Sequence, residues 1–362
     1  MICEETLVGI QSLHPTQTCS NGTNVSLFPL TVSPVSHMYG SVALGEGTNL
    51  AYDNVSRKLY ASLAGAQGRI ATIDPVTGSV TQSPVIGDEP DHLAISDDGQ
   101  FLYVSIDNEN AVKRLTLPVL ATDLTFPLDN LAPVSRDYLC GKDIKVVPGN
   151  PRTVVIAIAG HLIAPRSCTF SEPDGVAVYQ DGLKLPNTWT GFPFVHLLEF
   201  SDSPSVLFGA GTFSPGSLSR LSVTASGLSL IDSSTLASWP GRDFTFLNGL
   251  IYSASGQVIN ATTYAVIGSF TNTGAFTLRP DANSKRLFAV TALGSDYSVA
   301  TIQAFDLNTL SLNGSLDIPS LATTAIPQYP PYTSLVRWGS DGLAFRTSSD
   351  EIVIVRSPLV GP

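Results

Sequence analysis

Along this chain a short apolar run, a tight polar turn and a second apolar run recur as one unit, seven times over. The instances are Leu50–Leu63, Leu93–Ile106, Ile144–Ile158, Leu197–Gly211, Phe244–Ala254, Phe276–Ala292 and Leu335–Thr347. Short blocks bounded by Gly, Asn and Asp predict paired strands, and no stretch carries the long 3.6-residue period of an amphipathic helix. Asp97-Asp98-Gly99, Asn248-Gly249 and Asp341-Gly342 are expected to supply positive φ in the hairpin turns. Asp53-Asn54 and Asp281-Ala282-Asn283 are expected to close theirs with side-chain caps. A unit of this size cannot bury its apolar face alone, so the copies must pack on one another. The pattern therefore predicts an all-β fold, a seven-bladed β-propeller in which each unit is the inner hairpin of a blade.

The outer strands follow from the hairpins. Blades one to six are expected at about 47–87, 89–135, 140–190, 195–235, 241–270 and 274–320, with blade seven from Tyr332 onward. In blade one the outer strands are Arg69–Asp74 and Ser79–Ile86; in blade six the outer hairpin is Ala304–Leu312. Blade seven has only three strands, the last being Glu351–Ser357. Tyr39–Gly45 is the expected donor of its fourth, which would tie the first blade to the last and leave no open seam. The chain thus divides into an extension, 1–37, and the propeller, 38–362. Within the extension, Thr23–Pro34 is apolar and bounded by prolines. It is read as part of an ordered leader stapled by Cys3–Cys19. The alternatives are packing against the propeller side, or self-association as a strand added to a neighbouring chain's sheet.

Composition narrows the partners. Hydrophobic residues make up 43%, enough for a core, while charged residues make up only 14%. The net charge is −11 with 19 Lys and Arg. No basic face is visible to neutralise phosphates, so no nucleic-acid partner is expected and an anionic membrane surface is disfavoured. No apolar run approaches the roughly 20 residues of a membrane span. The opening MICEETLVGIQSL lacks a basic n-region and a long apolar core, so either a signal was removed or this is a segment of a longer chain; the second is favoured. The four cysteines form no C-x-x-C pair, which disfavours zinc. Cys140 precedes the inner strand of blade three and Cys168 follows its second strand, so both fall on one face. Cys140–Cys168 and Cys3–Cys19 are expected disulfides, each contributing about 3 kcal/mol; the alternative is four buried thiols. Disulfides imply an extracellular or cell-surface location. N-x-Ser/Thr triplets at Asn21, Asn24, Asn54, Asn260 and Asn313 are glycosylation acceptors only where the compartment allows it.

The segments Ser56–Gly65, Gly68–Val80 and Ser96–Leu117 resemble the YVTN-type β-propeller repeats of secreted and surface bacterial and archaeal proteins, in which G-x-L-Y-V strands alternate with I-D-x-x-T-G turns. Leu335–Ser357 looks like the final blade of secreted bacterial propellers found in chains with immunoglobulin-like modules. The resemblance covers about 40–357. It implies extracellular location and interaction roles, and it transfers no catalytic residue. WD40 signatures are absent.

No G-x-S-x-G elbow, H-E-x-x-H, Walker A loop or complete G-x-G-x-x-G is present. The candidate chemistry comes from the repeat. The residue before each inner strand is expected at the mouth of the central channel, which gives Asn49, His92, Asp143, His196, Asp243, Ala275 and Ser334. Asn49, His92, Asp143, His196 and Asp243 are the candidate ligand-binding residues. His92, Asp143, His196 and Asp243 together suit a divalent metal, the one cofactor the pattern would accommodate where otherwise none is expected. His92 and His196 are the candidate acid–base pair of an alternative reading, a secreted lyase or hydrolase. Asp88, Glu89 and Asp91 stand beside His92 as further ligands. The plainer expectation is that these polar residues cap strand ends. His161 and Arg166 lie in the long loop of blade three. Trp189, Phe192 and Phe194, and Tyr329, Tyr332 and Trp338, would either stack on a sugar or protein partner or pack between blades. The leading reading is a non-catalytic scaffold presenting loops or its extension to a protein or glycan partner.

Overall fold

The computed structural model describes residues 17–18, 24–32, 35–43, 49–131, 136–161, 172–191, 195–211, 216–236, 243–271, 277–293, 299–318, 332–347 and 351–361. They form thirty strands, one 3₁₀ turn at Asp107–Glu109 and no α-helix. Before the first blade come β1 (Gln17–Thr18), β2 (Asn24–Val32) and β3 (Val35–Ala43). Blade one is β4 (Leu50–Asp53), β5 (Lys58–Leu63), β6 (Arg69–Ile73) and β7 (Val80–Gln82). Blade two is β8 (Pro90–Ile95), β9 (Phe101–Ile106), β10 (Ala111–Thr116) and β11 (Ala121–Pro127). Blade three is β12 (Tyr138–Val147), β13 (Asn150–His161), β14 (Glu172–Gln180) and β15 (Leu183–Lys184). Blade four is β16 (Leu197–Phe200), β17 (Val206–Ala210), β18 (Ser217–Thr224) and β19 (Gly227–Thr235). Blade five is β20 (Phe244–Leu247), β21 (Leu250–Ser253), β22 (Gln257–Asn260) and β23 (Val266–Ser269). Blade six is β24 (Thr277–Asp281), β25 (Arg286–Leu293), β26 (Val299–Asp306) and β27 (Leu312–Ile318). Blade seven is β28 (Tyr332–Trp338), β29 (Gly342–Thr347) and β30 (Glu351–Arg356).

All seven predicted hairpins are the first and second strands of a blade. β3 supplies the fourth strand of blade seven, pairing antiparallel with β30 so that Val42 faces Ile352 and Gly40 faces Ile354. This is the predicted closure. Within the extension β2 pairs with β3 from Val25 to Val32, and β1 with β2, so the sheet of blade seven reaches six strands.

The core explains why the ring closes. Buried apolar side chains fall into seven clusters, one at each junction between neighbouring blades. The cluster at the seam unites Val42, Trp338, Ala344 and Ile352 of blade seven with Leu50, Leu59, Ala61 and Ile73 of blade one. Each buried Val, Leu or Ile among them contributes roughly 1.5–3 kcal/mol, and no blade can bury both of its faces without two neighbours. Trp338 and Trp189 both pack at these junctions, as the inter-blade alternative for the aromatics has it. Phe192, Phe194 and Tyr329 lie outside the described residues.

Turn chemistry agrees with the sequence at most positions. Asn248 and Gly249 adopt φ of 51° and 78°, and Gly99 67°. Asp53 caps the N–H groups of Val55 and Ser56, and Asp281 that of Asn283. In blade seven the positive φ falls on Gly339, not on the expected Asp341-Gly342 pair. The reason is that Gly342 already begins β29, paired with Trp338. In blades two, four, five and six a β-bulge interrupts the outermost ladder, twisting that exposed edge.

Candidate functional site: the mouth of the central channel

The innermost strands β4, β8, β12, β16, β20, β24 and β28 touch in a closed circuit. One N–H at the start of each faces away from its own sheet, and at four junctions a side chain of the preceding blade accepts it. Asn49 Oδ1 accepts from the Leu93 N–H at 3.4 Å. Asp143 Oδ2 accepts from Leu198 at 2.7 Å. Asp243 Oδ2 accepts from Leu278 at 3.0 Å and from the Thr277 hydroxyl at 2.8 Å. Thr277 Oγ1 in turn accepts from Leu335 at 3.3 Å. The side chain preceding the first buried apolar residue of one inner strand thus staples the matching residue of the next.

Three of the candidate residues, Asn49, Asp143 and Asp243, occupy this stapling position. His92 occupies it in blade two and contacts Asn49, whose Nδ2 lies 3.2 Å from His92 Nδ1. Because Asn49 Oδ1 is the acceptor for Leu93, Nδ2 is the donor to His92. That assignment places the ring proton on Nε2, 3.7 Å from Asp91 Oδ2. His196 is one residue out of step, since the stapled Leu198 makes Leu197 the counterpart of Asp143. His196 sits just outside β16, its N–H bonded to the Ala210 carbonyl, and it is 5% exposed. Burial, and secondarily the Lys142 ammonium, lower its pKa to about 4. Ser334 takes φ of 55° at a bulge in β28. Ala275 lies outside the described residues, and Thr277 is the stapling residue of blade six. Among the described residues no three His, Cys, Asp or Glu side chains come together as a metal-holding group.

Two residues beyond each staple, on the same face, lies a set that sequence reasoning passed over. Blades three to six carry Lys145, Glu199, Thr245 and Arg279 there, whereas blades seven, one and two carry Val336, Ala51 and Ala94. Lys145 Nζ sits 3.0 Å from Glu199 Oε2 and 3.8 Å from Asp143 Oδ1. Thr245 donates to Glu199 Oε1 at 3.2 Å, and Arg279 Nε to the Leu335 carbonyl at 3.2 Å. Burial alone would depress the Lys145 ammonium, but the Asp143 and Glu199 carboxylates reverse this and raise its pKa. Burial pushes Asp143 and Asp243 above the ordinary carboxylate range. Asp107, against Asp91 at the rim of blade two, is pushed up by burial and then by its acidic neighbour. The signal for this wall was a charge at one fixed offset inside an otherwise apolar strand.

Cys3, Cys19 and Cys168 lie outside the described residues, as does Arg166; Cys140 is a buried residue of β12. Of the acidic residues flanking His92, Glu89 gives its carbonyl to the Asp107 N–H, and the Asp88 N–H bonds Glu109 Oε1 at 3.1 Å.

Removing a staple leaves a buried N–H unpaired, which costs about 1–3 kcal/mol. Asp143→Ala and Asp243→Ala are each expected to lose that much stability in denaturant unfolding. Asp243→Asn keeps an acceptor oxygen and is expected to lose less. Equal losses for Ala and Asn would deny the stapling role.

No protein-family model and no curated relative matches the chain. Solved structures do match it. The WD40 β-propeller domain of Doa1 is 10% identical with a TM-score of 0.59, covering 87% of this chain and 95% of that one. The β-propeller domain of Myceliophteria thermophila Cps50 (Swd1) is 12% identical with a TM-score of 0.64, covering 87% and 98%. Kuenenia stuttgartiensis hydrazine synthase is 14% identical with a TM-score of 0.62, covering 88% and 97%. Across these pairs the shared property is the β-propeller fold, and it is reached here without WD40 sequence signatures.

Proposed function

We propose that this chain is a non-catalytic interaction scaffold that works outside the cytoplasm, built of YVTN-type repeats and presenting its rim to a protein or glycan partner. One observation carries the reading. At the channel mouth Asn49, Asp143, Asp243 and Thr277 are each engaged by a backbone N–H of the next blade, so these four side chains hold the ring together instead of converging on a common point. Recognition then falls to the rim loops and the extension. The Cys3–Cys19 and Cys140–Cys168 disulfides expected from the sequence are what support an extracytoplasmic setting. No helix among the described residues is long and apolar enough to cross a membrane. The burial of the His196 imidazole just outside β16 is the feature that favours the alternative, a lyase or hydrolase at the mouth with or without a divalent metal.

Screening the purified chain on glycan and peptide arrays, with parallel metal analysis, separates the two. The scaffold predicts saturable binding that survives His92→Gln and His196→Gln, and no metal stoichiometric with protein. Stoichiometric metal, or turnover, abolished by those substitutions would establish the enzyme instead. Non-reducing peptide mapping is expected to recover both disulfide-linked pairs.

A further inference from the structure

On the face opposite the mouth, a cleft of about 350 Å³ opens between blades five and six. That lies at the lower end of the roughly 300–1,000 Å³ of ligand pockets. Leu247, Leu250 and Leu307 give it apolar walls, and Tyr252, Lys285 and Asn248 also line it. Tyr252 is the informative member. Tyr60, Tyr103 and Tyr252 hold matching positions in β5, β9 and β21, facing Ala51, Ala94 and Thr245 across their ladders. The Tyr60 hydroxyl meets Ser56 Oγ at 3.5 Å and that of Tyr103 donates to the Pro151 carbonyl at 2.9 Å. A buried tyrosine hydroxyl usually finds such a partner. Tyr252 is 3% exposed, yet its hydroxyl has no hydrogen bond among the described residues.

Lys285 and Asn248, exposed at the lip of the cleft, leave their side-chain polar groups open to a ligand as well. Lys285 makes no ion pair among the described residues, and Asp306 acts on it only through its field. The Asn248 side-chain amide makes no hydrogen bond there either. In a chain of net charge −11, a cation without a paired carboxylate beside a free phenolic donor and an apolar wall is complementary to one chemistry: an aliphatic group carrying a carboxylate.

We propose that this cleft binds the carboxy-terminal residue of a partner polypeptide ending in a leucine-sized side chain. The aliphatic group packs on Leu247, Leu250 and Leu307. Its carboxylate takes the Lys285 ammonium and the Tyr252 hydroxyl, and the Asn248 amide matches the last peptide group as donor and acceptor. The inference deepens the scaffold reading, on which it rests for a polypeptide partner, and uses a different face from the mouth.

The test titrates the intact chain into a fluorescein-labelled hexapeptide ending in leucine, its carboxamide, and 4-methylpentanoate as competitor. The free-acid peptide is expected to bind at least tenfold more tightly than the amide. Lys285→Gln is expected to weaken it about tenfold, and Tyr252→Phe, which keeps the ring in place, about fivefold with an unchanged unfolding midpoint. Equal affinity for acid and amide, no binding at millimolar peptide, or indifference to Lys285→Gln would overturn the proposal. Competition by 4-methylpentanoate with the peptide's own affinity would overturn it too, assigning the cleft to a free acid. Array binding through the rim is read separately, so either idea can fail without the other.

Discussion

Val42→Asp is expected to open the ring at its seam, lowering stability by about 3–5 kcal/mol. Val42 is 1% exposed and packs with Trp338, Ile352 and Leu50 between the last blade and the first. The substitution removes that packing and places a carboxylate in a buried apolar cluster, a combination among the most costly of single changes. Val42→Thr is expected to cost less. Val76→Asp applies the same chemistry at a side chain 69% exposed and is expected to change the unfolding midpoint little. Denaturant unfolding, with limited proteolysis around 35–43, checks both. A Val42→Asp protein as stable as the parent would show that β3 does not lock the ring.

The second large effect is a dependence on pH carried by His196. Its folded-state pKa of about 4 lies below the roughly 6.5 of an unfolded histidine. Between these values the unfolded chain binds a proton that the folded chain does not, so stability falls as pH falls through this window. The loss is on the order of 3 kcal/mol by pH 4. Asp107, Asp143 and Asp243 act in the opposite sense. Their folded-state pKa values are raised, so acidification relieves a cost of keeping them ionised. The raw pH profile therefore mixes both signs, and the parent-minus-His196→Gln difference isolates the imidazole. That difference is expected to slope between pH 6.5 and 4 and to be flat above. An NMR titration placing the His196 midpoint near 6.5 would remove the basis for the prediction.

The hairpins were legible because period-two apolar runs and turn residues are local signals. Even the closing strand could be read, since Glu351–Arg356 lacked a neighbour and the residues around Tyr39 suited one. The mouth was less legible. Asn49, Asp143 and Asp243 proved to share one position, but His196 stood one residue off and Thr277 was overlooked. The inner hairpins of blades four and six carry no register shift, so part of the cause is that the apolar pattern there does not mark which residue precedes the stapled position. The rest is that a staple joins residues dozens of positions apart, and nothing near Asp143 names Leu198. The charged wall of Lys145, Glu199 and Arg279 was visible as charges inside apolar strands, and it gains meaning only once neighbouring blades are superposed. The empty hydrogen-bonding capacity of Tyr252 had no sequence signal at all, because Tyr60 and Tyr103 read identically.

The pairing of β3 with β30 sets an order on the birth of the molecule. A strand made before blade one must wait until blades one to six have been synthesised before its permanent partner exists. Throughout that interval β3 offers an open ladder edge to any chain nearby, and whatever shields it during vectorial synthesis decides how many copies mature alone and how many become entangled.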